Sequence, residues 1–167
     1  RGLGDVYKRQ TIANGLVYIA TAKDLVVADA VTGEIVATYA AGANSSLNDV
    51  AIADDGTVYV SDINQQSIYR LQDGVFEVFV TDPQLASVNG LHVNGDQLWA
   101  ATFDQGVLYA VDLATQAVTQ VLSGVQNFDG IAKIGDGLWL FSSFNGQVRL
   151  YDEADGSLTT LYNTLNS

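Results

Sequence analysis

The hydrophobic positions of this chain fall in short runs rich in Val, Ile, Leu, Tyr and Trp, and each run is closed by Asp, Asn or Gly. Apolar runs of about five to seven residues between turn residues are typical of β-strands. A helical repeat would instead place apolar residues at i, i+3, i+4 and i+7, and these segments do not follow that spacing. The pattern therefore predicts an all-β protein.

These strands recur in a repeat of about forty residues. The segments NDVAIADDGTVYVSD, NGLHVNGDQLWAAT and DGIAKIGDGLWLFSS begin at Asn48, Asn89 and Asp129. Aromatic residues keep the same spacing within them, at Tyr59, Trp99 and Trp139. Self-similarity at this period indicates an array of equivalent supersecondary units.

Each repeat contains four predicted strands, and four antiparallel strands per repeat make one blade of a β-propeller. In the third unit the strands are predicted at Gly90–Asn94, Gln97–Thr102, Val107–Asp112 and Ala117–Ser123. Blades are expected at about residues 11–43, 44–85, 86–125 and 126–167. Four blades are then present of an expected six, although closed rings of four blades also exist.

The first ten residues differ in character from the rest of the chain. Arg1–Gln10 read RGLGDVYKRQ, which is similar to the translated end of a sequencing adapter. We expect this segment to be a non-native scar, and blade one to lack its innermost strand. An open arc of blades exposes apolar faces and an unpaired edge, so we expect the chain to self-associate.

Composition and charge narrow the range of functions. The chain has 19 acidic and 7 basic residues, a net charge of −12, which argues against nucleic acid and anionic membranes as partners. No apolar run reaches the length of about 18–20 residues that a membrane span needs. The absence of cysteine excludes disulfides and thiol catalysis. The acidic composition favours a secreted or periplasmic protein.

One ring position carries the residues best suited to chemistry. Asn48, Asn89 and Asp129 start the innermost strands of consecutive blades, so their side chains are expected to converge at one end of the channel. Converging oxygen ligands suit Ca²⁺, whereas zinc is a poor fit because the chain has one histidine and no cysteine. Asn and Asp at these positions also cap turns through their own backbone, and that alternative remains open.

Further candidates lie in the loops between second and third strands, which return to the same end of the channel. Substrate contacts are predicted for Asp62, Phe103, Asp104, Phe144 and Asn145. The two phenylalanines either flank a substrate ring or pack against neighbouring loops. His92 follows Asn89 on an innermost strand, where it serves either in packing or as a general base in the channel.

The blade starts resemble those of the six-bladed gluconolactonase, senescence-marker-protein and paraoxonase group. The resemblance lies in the phrases N-D-x, N-G-L and D-G-I at successive blade starts, each followed by D-G-x-hydrophobic-Tyr/Trp or a close variant. The resemblance covers about Asn48–Tyr162. It implies a channel Ca²⁺ held by one Glu, two Asn and one Asp. By position, the two Asn are Asn48 and Asn89 and the Asp is Asp129, whereas the Glu has no counterpart in this sequence. It also implies that Asp129 orients or deprotonates a water molecule.

Two functions follow from these observations. The resemblance implies that the parent protein is a calcium-dependent hydrolase of a small-molecule lactone or ester, truncated here and expected to be inactive as a fragment. The alternative is a non-catalytic propeller of the NHL or surface-repeat kind, because such proteins carry similar N-G-L and D-G phrases. Its channel face would bind a ligand or a protein.

Overall fold

A computed structural model describes residues 9–164, which form four antiparallel sheets of four strands each, in chain order. Blade 1 has β1 (Arg9–Ala13), β2 (Leu16–Ala20), β3 (Asp24–Asp29) and β4 (Ile35–Ala40). Blade 2 has β5 (Leu47–Ile52), β6 (Val58–Asp62), β7 (Ser67–Gln72) and β8 (Val75–Thr81). Blade 3 has β9 (Val88–Asn94), β10 (Gln97–Thr102), β11 (Val107–Asp112) and β12 (Val118–Ser123). Blade 4 has β13 (Phe128–Gly135), β14 (Leu138–Ser143), β15 (Gln147–Asp152) and β16 (Ser157–Asn163).

This architecture confirms the predicted all-β propeller of four-stranded blades. In the third blade, the predicted strand bounds differ from the observed ones by no more than two residues. A short 3₁₀ helix at Pro83–Leu85 connects blades 2 and 3. Within the described part of the chain, no helix has both the length and the apolar character needed to cross a membrane.

Aspartates at the ends of third strands form the hairpins that lead to the fourth strands. The Asp29 carboxylate accepts hydrogen bonds from the N–H groups of Val31 (2.9 Å) and Thr32 (2.7 Å). Gly33 then adopts a φ of +74°, which the absence of a side chain permits at little cost. These local bonds replace strand pairing and turn the chain back.

The first strands of successive blades lie side by side around the channel, in the order β1, β5, β9 and β13. Side chains of one blade bond to the main chain of the next. The Thr11 hydroxyl donates to the Val50 carbonyl (2.9 Å), and the Ser61 hydroxyl donates to the Asn89 carbonyl (2.7 Å). The Leu91 N–H donates to the Asp49 carboxylate (2.9 Å), so polar contacts join β1 to β5 and β5 to β9.

Three apolar clusters fill the three seams between neighbouring blades. Strand alternation decides which seam a side chain enters, as β10 shows. Leu98 and Ala100 enter the cluster shared with blade 2, whereas Trp99 and Ala101 enter the cluster shared with blade 4. The recurring aromatic residues Tyr59, Trp99 and Trp139 are therefore buried between blades.

The outer faces of blades 1 and 4 are less well covered than these seams. On blade 1, Ile12 is 67% exposed, and Val17, which pairs with it, is only half-buried. On blade 4, Leu140 and Val148 line a cavity of about 300 Å³ and are also half-buried. Among residues 9–164, no core cluster joins blade 4 to blade 1.

We expect the purified chain to self-associate through these two faces, because burying half-exposed apolar side chains releases about 25 cal/mol per Å². Light scattering coupled to size exclusion should give a mass above 17.8 kDa at micromolar concentration. Ile12→Glu should shift the distribution toward the monomer, whereas the surface change Val31→Glu, in a blade-1 turn, should not. A monodisperse wild-type monomer would contradict the expectation.

The innermost strand of blade 1 corrects the sequence analysis. Blade 1 was expected to lack this strand, yet β1 pairs antiparallel with β2 from Arg9 opposite Ala20 to Ala13 opposite Leu16. Residues 1–8 of the proposed scar lie outside the described residues, while Arg9 and Gln10 begin β1. The non-native origin of Arg1–Gln10 stays a prediction.

Candidate functional site at the mouth of the channel

Asn48, Asn89 and Asp129 are each the second residue of the first strand of their blade. All three line one cleft of about 590 Å³, which we call the mouth cleft. Its other lining residues are Arg9, Ile63, Ser87, Phe103, Asp104 and Phe144. The forty-residue repeat thus brings residues from three blades to a single site.

Asn89 and Asp129 are in direct contact. The Asn89 Nδ2 group donates to Asp129 Oδ1 (3.2 Å) and also lies 3.5 Å from the Phe128 carbonyl oxygen. Asn89 is 4% exposed, and its Oδ1 atom has no hydrogen-bond partner among residues 9–164. A buried acceptor without a donor costs about 1–3 kcal/mol, so this atom is a candidate for contact with a ligand.

Arg9 brings a positive charge to the same place. Its Nη2 atom lies 2.9 Å from Asp129 Oδ1, and its Nε atom lies 4.0 Å from Asp49 Oδ1. Arg9 also lines a second cavity of about 670 Å³, the channel cavity, which runs along the four first strands. Its side chain therefore stands between the mouth cleft and the channel cavity. Arg9 belongs to the segment expected to be a scar, and this contact was not predicted from the sequence.

Asp49 is a buried carboxylate that the sequence analysis also missed. Its two oxygens accept the N–H groups of Val50 and Leu91, both at 2.9 Å. Burial raises the pKa of Asp49, while the Leu91 N–H and the Arg9 charge act in the opposite direction. The available sequence signal was an acidic residue directly after Asn48 in an otherwise apolar strand.

Two aromatic residues form one wall of the mouth cleft. Phe103 follows β10 and Phe144 follows β14, and their rings meet edge to face with centroids 6.0 Å apart. Phe144 is 78% exposed, which is unusual for a large apolar side chain. Asp104 lies beside them, and its N–H donates to the Ser87 hydroxyl (2.9 Å).

Three predicted site residues do not line the mouth cleft. Asp62 is fully buried and caps its own turn by accepting the N–H groups of Ser46 (2.9 Å) and Asn64 (3.0 Å). Asn145 is half-buried next to Phe144 in the loop after β14, and its Oδ1 atom has no hydrogen-bond partner in the described part of the chain. His92 lines the channel cavity instead. The structure thus brings together six of the nine candidates.

His92 packs edge to face against Trp139, with ring centroids 5.1 Å apart. Burial, and after it the charge of Lys133, lowers the pKa of His92 below its usual value of 6.5. The Lys133 amino group lies 5.3 Å from the centre of the Trp139 ring and bonds to the Asn94 side chain (3.2 Å). His92 therefore belongs to a packed cluster at the seam of blades 3 and 4.

This lowered pKa predicts a pH dependence of stability. Between the folded pKa and 6.5 the unfolded chain binds the proton more readily, so the free energy of unfolding falls as the pH drops through that window. Urea unfolding at a series of pH values from 7 downward should show this slope, and His92→Gln should reduce it. An unchanged slope in the variant would contradict the assignment.

Some features of the mouth cleft favour calcium and others oppose it. Asn48, Asn89 and Asp129 line it, and Asn89 Oδ1 lacks a donor among residues 9–164. However, the Arg9 guanidinium is paired with Asp129, and the Asp49 carboxylate accepts two backbone N–H groups. Within residues 9–164, no cluster of three or more His, Cys, Asp or Glu side chains is suited to a metal. With Arg9 in this position the residues do not fit a calcium ion.

The blades and the channel-mouth site define the chain as a β-propeller protein. A family model matches residues 1–164, and the chain therefore belongs to the family described as domain of unknown function DUF5074. No curated protein matches the sequence significantly. The family match does not confirm the resemblance to gluconolactonases.

Solved structures share the fold at low sequence identity. Virginiamycin B lyase from Staphylococcus aureus aligns with a TM-score of 0.76 and 16% identity over 93% of this chain and 55% of that one. The WD40 repeats of RRP9 align with a TM-score of 0.77 and 16% identity over 97% and 52%. The computationally designed Ika4 protein aligns with a TM-score of 0.67 and 13% identity over 98% and 94%. The chain thus spans about half the length of the lyase and of the WD40 protein.

Proposed function

We propose that this chain is a ligand-binding β-propeller and that the mouth cleft binds a small organic molecule. One observation carries the proposal: the unpartnered Asn89 Oδ1 atom is buried in a cleft that also presents the exposed Phe144 ring. Ligand sites typically have volumes of about 300–1,000 Å³ and combine aromatic walls with a few polar groups. The mouth cleft meets both conditions.

Single-ring probes test this proposal. Benzamidine, benzamide and benzoate carry the same ring with a positive, neutral or negative group, and saturation-transfer NMR reports binding of each. At least one probe should bind the full chain, and Phe144→Ala should weaken that binding about tenfold through loss of ring contact. Tyr162→Ala removes an exposed aromatic outside the cleft and serves as the control. Binding of none of the probes, or equal weakening in both variants, would overturn the proposal.

A second candidate is the calcium-dependent hydrolysis of a lactone or ester that the gluconolactonase resemblance implies. It is favoured by the convergence of Asn48, Asn89 and Asp129 on one cleft, and it is opposed by the pairing of Arg9 with Asp129. Asp129 is the residue proposed to orient or deprotonate water. A catalytic role for it requires release from Arg9.

The variant Arg9→Met separates the two candidates. If the cleft is a calcium site obstructed by the guanidinium, calcium should raise the melting temperature of the variant and leave the wild type unchanged. A melting temperature that calcium leaves unchanged in the variant would contradict the calcium site and leave the binding module.

A further inference from the structure

We propose that the mouth cleft selects a cationic ligand, an amidinium or guanidinium group attached to a flat apolar part. This inference rests on the proposed function, since it names the ligand class of the same site. It is carried by the hydrogen-bonding capacity, the charge and the aromatic wall of the cleft.

First, the cleft contains a hydrogen-bond acceptor, Asn89 Oδ1, that has no donor among residues 9–164. The Asn89 amide nitrogen is committed to Asp129 Oδ1, and this contact fixes the orientation of the amide. The amide oxygen is left as a buried acceptor without a donor. A ligand that satisfies it must bring an N–H or O–H group, which a carboxylate or a phosphate dianion does not have.

The second step concerns charge. The cation that lines the cleft is Arg9. Its charge is compensated by Asp129, whose Oδ1 atom lies 2.9 Å from Nη2, and Asp49 Oδ1 lies 4.0 Å from its Nε atom. The Asp104 carboxylate is exposed at the rim and makes no hydrogen bond or ion pair with any described residue. The cleft therefore retains a surplus of negative charge, within a protein of net charge −12. An incoming cation is attracted to this surplus and an anion is repelled.

The third step is that the cleft already holds a planar cation of this class. The Arg9 guanidinium contacts the Asp129 carboxylate through Nη2 and Oδ1 at 2.9 Å, so a carboxylate of the cleft pairs with a planar cation. The edge-to-face pair of the half-buried Phe103 and the exposed Phe144 adds aromatic rings beside Asp104. Aromatic faces attract cations and stack on flat apolar groups, so the wall and the rim favour the same ligand.

The three probes differ only in the charge and donors of one group, and their ranking tests the inference. Isothermal titration of the full chain at low salt should give benzamidine about tenfold tighter binding than benzamide, with benzoate weakest. Added salt should reduce the advantage of benzamidine and leave benzamide unchanged.

Two isosteric variants locate the source of the preference. Asp104→Asn should reduce the benzamidine-to-benzamide affinity ratio about threefold to fivefold, whereas Asp136→Asn removes the same charge from an exposed turn between β13 and β14 and should leave the ratio unchanged. Three outcomes would overturn the cationic selectivity while leaving the proposed function in place: equal binding of the three probes, preference for benzoate, or equal effects of the two variants. Absence of binding by every probe would overturn the proposed function itself.

Discussion

Trp139→Ala is expected to lower the free energy of unfolding by about 3–5 kcal/mol, the usual cost of removing a large buried aromatic side chain. Trp139 is completely buried at the seam of blades 3 and 4. Its ring stacks on Trp99 with centroids 4.1 Å apart and also contacts His92 and Lys133. Truncation leaves a cavity that rigid strands on both sides cannot close.

Denaturant titration followed by circular dichroism measures this loss. Tyr162→Ala is the matched control, because that ring is 56% exposed on the last strand of blade 4, and its truncation should change stability by less than about 1 kcal/mol. Trp139→Phe should cost less than Trp139→Ala, since it keeps a stacked ring and removes the indole N–H, which has no partner. A loss below about 1 kcal/mol for Trp139→Ala would show that this seam does not hold the blades together.

Gly90→Ala is expected to destabilise the chain by about 3 kcal/mol and to disturb the mouth cleft at the same time. A Cβ atom at this position would clash with the carbonyl oxygen of Asp129 and would lie 3.1 Å from its carbonyl carbon. Because both partners belong to backbone, β9 and β13 must separate. The separation displaces Asn89 and Asp129, which are adjacent in the cleft.

Thermal unfolding and benzamidine titration test the two effects together. The melting temperature should fall by roughly 6–12 °C, and benzamidine should bind more weakly at a temperature where the variant is folded. Gly135→Ala provides the matched control, because a Cβ atom there meets only the Leu138 side chain at 3.7 Å. Equal melting temperatures and equal benzamidine affinities of the two alanine variants would contradict the close approach of β9 and β13 at Gly90.

The fold could be predicted from the sequence because the blades repeat. The spacing of Tyr59, Trp99 and Trp139 reflects a packing requirement that recurs at every seam, and the turn residues mark the strand ends. The strand β1 was missed because Arg1–Gln10 was set aside as a scar, which removed the start of blade 1 from consideration. The sequence did carry a signal for it: Asn14-Gly15 is a two-residue hairpin turn with positive φ at both positions, and it joins β1 to β2.

The candidate site was predicted in part for the same reason. Equivalent positions in equivalent blades must meet around the axis, which accounts for the convergence of Asn48, Asn89 and Asp129. Arg9 and Asp49 have no counterparts at the equivalent positions of the other blades. Their roles follow only from contacts between blades, which the sequence pattern does not show. Asp62 was predicted to contact substrate, and the structure places it as a turn cap outside the mouth cleft. An aspartate that caps its own turn has the same sequence signature as one that faces a ligand.

The polar contacts between neighbouring blades have a consequence for the evolution of such a chain. The side chains of Thr11, Ser61 and Asp49 each form a hydrogen bond with a main-chain atom of the next blade. In each bond the first blade contributes a side chain and the next blade contributes only main chain. A main-chain carbonyl or N–H is present whatever residue occupies the neighbouring position, with proline as the exception for the N–H. Neighbouring blades can therefore diverge in sequence, or be duplicated and exchanged, while these contacts are retained.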